Sequence, residues 1–97
     1  MVIVTTKIRI KPGKTEEVLQ LFKETNPGLV EDQEDWVKAV FTANQRKNTV
    51  VVHAWWKEAE SYFSFSDTEM FQNTMLGFAE YFDGEPEVDV HEILFEM

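Results

Sequence analysis

His53 and His91 are the only histidines in a chain of 97 residues that contains no cysteine. An imidazole can serve as a base, a proton shuttle or a metal ligand near neutral pH. These two lie on separate apolar segments, and nothing in their spacing to each other or to an acid requires a metal, so no metal site is expected. Without cysteine there is no disulfide framework, no thiolate ligand and no sulfur nucleophile. Glu31, Asp32, Glu34 and Asp35 read as a solvated turn. A glycine-rich phosphate loop, a nucleophile elbow and an HExxH zinc helix are all missing from the chain. The chemistry that remains is that of aromatic surfaces, since there are eight Phe, three Trp and two Tyr. Phe71, Met75, Phe78 and Phe82 recur at i, i+4, i+7 and i+11, the face of one helix, and their simplest role is core. A sharper reading makes Met75 and Phe78 of that stripe, with Phe65, part of the walls of an apolar cavity. Walls of that kind suit a small hydrophobic or aromatic ligand.

The elements that must position these residues follow from periodicity. From Val2 to Ile10 the chain alternates, with Val2, Val4, Thr6, Ile8 and Ile10 on one face and Ile3, Thr5, Lys7 and Arg9 on the other, which is a strand. Pro12-Gly13 ends it. A helix is expected from about Thr15 as N-cap, with Glu16 and Glu17 in the first turn and Val18, Leu19, Leu21 and Phe22 as its buried stripe. Asn26-Pro27 has the form of an N-cap followed by a first helical residue, so a break and a second short helix over Leu29 to Gln33 are expected. Trp36 to Ala43 and Val50 to Trp56 read as strands joined through the polar hairpin Asn44 to Asn48. Lys57 to Ser66 is helical, Ser66-Asp67-Thr68-Glu69 fits a capping box that starts the next helix, Asp83 to Pro86 closes that helix, and Val88 to Phe95 is the last strand. The order is strand, helix, strand, strand, helix, strand. The simplest fold is α+β, a ferredoxin-like βαββαβ domain spanning residues 1–97, with a four-stranded antiparallel sheet and helices on one face.

That architecture leaves one sheet face uncovered. The third strand is apolar on both sides, with Val50, Val52, Ala54 and Trp56 on one and Val51, His53 and Trp55 on the other. Only one side fits under the helices, and burying a tryptophan gains on the order of 2–3 kcal/mol. Two sheets packed face to face, in an isologous homodimer with Val51, His53 and Trp55 at its interface, cover the second side.

The segment from Lys7 to Lys14, KIRIKPGK, resembles the opening strand and turn of the dimeric α+β barrel proteins. The stretch from Val50 to Phe63, VVVHAWWKEAESYF, resembles the strand-to-helix junction of that superfamily, and its antibiotic biosynthesis monooxygenase family is the group most similar to this chain. The resemblance implies a dimeric α+β barrel and a cofactor-independent monooxygenase that acts on a small aromatic substrate. A non-catalytic binding or assembly module and an isomerase are the alternatives within the same fold. Family members that oxidise anthrone-type compounds contact substrate through a Trp at the end of the third strand and a Tyr six residues later, which Trp56 and Tyr62 match. They are thereby the candidate catalytic residues, Trp56 to stack or donate its indole N–H and Tyr62 to hydrogen-bond the substrate oxygen. Val52 stands where that group has Asn, and about Leu76 where it has Arg. The haem-degrading branch has Asn, Trp and an iron-ligating His where this chain has Thr6, Phe65 and Met75, so haem degradation is not implied. Thr6, Val52, Trp56, Tyr62, Phe65, Met75 and Phe78 are together the expected substrate-binding set.

Charge narrows the partners. The net charge is −9: residues 1–57 hold all nine Lys and Arg against seven acids, and residues 58–97 hold eleven acids and no base. A nucleic-acid surface needs a clustered basic face, so none is expected. No apolar run approaches the roughly 20 residues of a membrane helix. The first residues lack the basic region and small-residue cleavage site of a signal peptide. A cytoplasmic protein is the expectation.

Overall fold

The computed structural model describes residues 1–97. Strands β1 (Val2–Arg9), β2 (Trp36–Asn44), β3 (Thr49–Trp56) and β4 (Glu87–Glu92) alternate with helices α1 (Thr15–Val30), α2 (Ala59–Ser66) and α3 (Glu69–Phe78). The sheet is antiparallel throughout, in the order β2-β3-β1-β4. This is the ferredoxin-like βαββαβ arrangement. The most apolar strands, β1 and β3, take the centre, where both edges are hydrogen-bonded. Val2, Val4, Ile8 and Ile10 of the first segment are buried, with Val50 and Trp56 opposite them, so the alternation in sequence is the alternation of faces.

Three expectations about the helices are corrected. Asn26-Pro27 does not break α1, which runs on to Val30 with Pro27 inside it. A proline in a helix interior costs about 3 kcal/mol through its missing N–H and its clash with the preceding turn. Leu29, one turn after Asn26, is buried among Val4, Trp56 and Tyr62, and that burial holds the last turn helical. Thr15 is not a cap but a buried first residue of the helix. The Pro12-Gly13 turn, with Gly13 at φ +81°, brings the Lys14 N–H onto the Lys11 carbonyl at 3.1 Å and leaves Lys14 in the cap position. The α3 cap is Thr68 rather than Ser66. Thr68 Oγ1 accepts from the Phe71 N–H at 3.2 Å, while Ser66 is still inside α2 and donates to the Phe63 carbonyl.

The hairpin between β2 and β3 closes through a 3₁₀ turn over Gln45–Lys47, with Asn48 in the left-handed region at φ 52°. The last strand ends at Glu92, short of the expected Phe95, and Leu94 and Phe95 are exposed. No helix is long and apolar enough to cross a membrane.

The core divides in two. One cluster holds Ile8, Ile10, Val18, Phe22, Val50, Phe78 and Phe82, and the other Val2, Val4, Leu29, Trp56, Tyr62 and Phe65.

Candidate functional site

The space between the two clusters is a cavity of about 320 Å³, near the small end of ligand pockets. Its floor is the helix-facing side of the sheet. Register aligns Val4, Ala54 and Ala39 in one row across β1, β3 and β2, and Thr6, Val52 and Phe41 in the next. The small side chains of Ala39 and Ala54 leave the room. α1 supplies Phe22, Asn26, Pro27 and Leu29 to the walls, α2 supplies Tyr62 and Phe65, and α3 supplies Phe71 and Met75.

Trp56 and Tyr62 are placed by the β3–α2 junction. The Lys57 N–H donates to the Asp35 carbonyl at 2.8 Å, and Ser61 Oγ donates to the Asp35 carboxylate, so both ends of the junction are tied to the start of β2. The tie holds the Tyr62 ring edge-on to Trp56 at 5.8 Å between centroids, and Phe65 lies 5.2 Å from Trp56. Trp56 is only 1 % exposed.

Six of the seven expected substrate-binding residues line this cavity: Thr6, Val52, Trp56, Tyr62, Phe65 and Met75. Phe78 does not. It packs edge-on to Phe22 at 4.9 Å in the other core cluster. Leu76 is exposed on the outer side of α3, so Met75 and Phe71 hold the cavity-facing positions of that helix. Val51, His53 and Trp55 lie on the opposite sheet face, paired with Lys7, Thr5 and Ile3. There His53 Nε2 lies 3.2 Å from Thr42 Oγ1, and Lys38 Nζ sits 4.4 Å from the Trp55 ring centroid. No group of three His, Cys, Asp or Glu side chains is placed to hold a metal ion.

Periodicity misses part of the wall. A bulge between Trp36 and Lys38 puts Trp36 on the same face as Ala39 and Phe41, whereas strict alternation would group it with Lys38 and Val40. Asn26 is missed because Asn-Pro reads locally as a helix start. Its Oδ1 is buried without a hydrogen-bond partner, which costs about 1–3 kcal/mol in a folded chain.

The cavity holds no carboxylate, ammonium, guanidinium or imidazole. Its one ionisable group is Tyr62, whose pKa is raised by burial, which disfavours the phenolate. Tyr62 is therefore a hydrogen-bond donor at neutral pH rather than a base. Raising the folded-state value above the ordinary tyrosine value of about 10 also sets a pH dependence. The unfolded chain gives up this proton first, so the contribution of Tyr62 to stability is complete below pH of about 10 and declines as pH rises through the folded-state value. Tyr62→Phe is expected to remove that part of the alkaline loss of stability, measured as urea midpoints at a series of alkaline pH values. An identical alkaline slope in the variant would contradict the burial of the hydroxyl.

No curated protein matches the chain in sequence. Among solved structures, a conserved protein from Methanosarcina mazei Go1 superposes with a TM-score of 0.78 at 19% identity, over 93% of this chain and 89% of that one. SnoaB, a cofactor-independent oxygenase from Streptomyces nogalater solved as a mutant, gives 0.81 at 13% identity, over 99% and 95%. A monooxygenase from the gene ActVA-Orf6 of Streptomyces coelicolor, solved in complex with nanaomycin D, gives 0.84 at 11% identity, over 99% and 89%. At these identities the likeness is one of fold. The sequence itself carries the family: residues 1–75 match the model for antibiotic biosynthesis monooxygenase, a span that takes in β1 to β3, the junction bearing Trp56 and Tyr62, and α3 as far as Met75. The chain belongs to the antibiotic biosynthesis monooxygenase family.

Proposed function

We infer that this protein is a cofactor-independent monooxygenase acting on a small, flat aromatic compound, and that it works as a homodimer in the cytoplasm with residues 1–97 as one domain. The observation that carries the reading is the cavity, apolar on nearly every side and bordered by the Trp56 indole and the protonated Tyr62 hydroxyl. An electron-rich substrate can itself reduce O2. For an anthrone-type methylene, CH2 and O2 become C=O and H2O: one oxygen atom enters the substrate, the other leaves as water, and all four electrons come from the substrate carbon. The protein's share is to bind the ring, exclude water and hold the substrate oxygen with donors that favour its anion. With no base on the walls, the substrate's own proton must pass to water at the cavity mouth, which restricts substrates to acidic phenols and anthrones.

A second reading, a module that binds such molecules without turning them over, is favoured by that missing base and by Val52 in the floor. Oxygen consumption with a panel of anthrones and hydroquinones separates the two. Uptake of one O2 per product molecule, with one labelled oxygen atom entering the product from 18O2 and the other released as water, supports the oxygenase, whereas a hydroquinone converted to its quinone with release of H2O2 and no label does not. Binding with no uptake across the panel sinks it in favour of the module, and a rearranged product formed without oxygen marks an isomerase.

The dimer is part of the same proposal. On the sheet face away from the helices Ile3, Val51 and Trp55 are half-buried and Val40 is exposed, an apolar surface that a second copy of that face would cover.

A further inference from the structure

Of the residues that line the cavity only Pro27 and Phe41 are exposed, Phe41 by 37 %, and the rest are buried or half-buried. A residue that borders the cavity and also meets solvent stands at its mouth, so the entrance lies between α1 and β2. The two rims differ in mobility. Pro27 is a rigid ring fixed in the helical backbone of α1. Phe41 is a side chain on the edge strand β2, which has no neighbour on its outer side. Its one aromatic partner is Phe22, 5.7 Å away between centroids at a tilt of 47°. Phe22 itself is buried and held edge-on by Phe78 at 4.9 Å. The Phe41 ring is therefore the movable one, and it turns outward to another staggered rotamer by giving up one aromatic contact.

We propose that Phe41 is the gate of this cavity and selects what enters by shape: the slot beside its ring admits a flat molecule edge-on and delays a globular one of equal size. The proposal rests on the cavity being the ligand site and adds to that reading a residue that governs admission. Phe41 is the outer end of the floor row that holds Thr6 and Val52, on the helix side of the sheet. A partner covering the opposite face therefore leaves the entrance open. A gate and a wall differ in their kinetics. A gate slows entry and exit alike and leaves the equilibrium where it was, whereas a wall that grips the bound ligand acts on its exit.

Fluorine NMR of 4-fluoro-1-naphthol titrated into the protein reads both rates from exchange between the free and bound signals. In Phe41→Ala the association and dissociation rates are expected to rise together, roughly three- to tenfold, the worth of one aromatic pair, with the dissociation constant changed by less than about threefold. Phe41→Leu keeps an apolar branch on the strand without a ring to lie against Phe22, so its rates should fall between, and it serves if the alanine variant folds poorly. A globular counterpart, 3-fluoro-1-adamantanol, has the same number of carbons as the naphthol. It is expected to enter the parent more slowly than the naphthol, by a margin that narrows in Phe41→Ala. Equal entry of both shapes into the parent, or a globular molecule that binds neither protein, takes selection by shape away from Phe41. Unchanged rates, or a weaker dissociation constant with association unchanged, make Phe41 a wall and overturn the proposal while the cavity reading stands. Failure of the parent protein to bind the naphthol overturns both.

Discussion

Trp55→Asp is expected to yield single chains, or insoluble protein, where the proposed homodimer forms in the parent. Trp55 lies on the sheet face turned away from the helices, paired with Ile3 across β1 and capped on its ring by Lys38. In a two-fold dimer each substitution acts twice, once from each copy. Losing the burial of one Trp forfeits about 2–3 kcal/mol, and a carboxylate in its place adds a desolvation cost, so the dissociation constant should rise by roughly a thousandfold or more. Mass by light scattering at micromolar concentration checks it, with thermal stability measured alongside. An unchanged mass and unchanged stability would refute the interface. The core beneath the helices does not involve Trp55, so the separated chain should retain its far-UV circular dichroism.

Trp56→Ala, one residue further on, is expected to act on the other face and in a different way. Trp56 is the largest fully buried side chain and carries the rings of Tyr62 and Phe65 against it. Truncating such a residue costs about 3–5 kcal/mol, against a total of about 5–15 kcal/mol for a domain of this kind. The urea midpoint should drop sharply, and ligand binding should go with it, because the lost indole is a wall between core and cavity. Trp56→Phe separates the two effects. It keeps most of the apolar volume, so it should fold with a small loss of stability, yet it lacks the indole N–H and should bind or turn over an oxygenated substrate less well. A midpoint for Trp56→Ala within the error of the parent would contradict the packing described. Because a dimer's apparent stability depends on protein concentration, all comparisons belong at one concentration.

The strands, their order and the faces of β1 and β3 were legible in the sequence because a strand's two faces are set by a period of two, a local property that long-range contacts seldom reverse. Trp56 and Tyr62 are singled out by the family resemblance of the β3–α2 junction, while Met75 is also legible from the apolar stripe of α3. Where the structure departs from the sequence pattern, a local signal has two meanings. Asn-Pro is both a helix start and a tolerable insertion in a running helix, and Leu29 decided between them by finding a place beside Trp56. Ser66 and Thr68 are both fit to cap α3, and the end of α2 decided for Thr68. Phe78 shares a helical stripe with Met75 yet falls in the other core cluster.

What the sequence by itself determined is therefore the kind of surface each element carries, including a strand β3 that is apolar on both faces. Only the tertiary structure decided where the elements fail to meet. The cavity is a gap between α1, α2, α3 and the sheet, sized by Ala39 and Ala54 and brought into register by a bulge in β2. A gap is a property of several elements at once, so no periodicity within one of them records it. Asn26 is a case in point: along the chain it reads as a helix cap, and only the fold places it on the cavity wall with its oxygen buried and unpartnered.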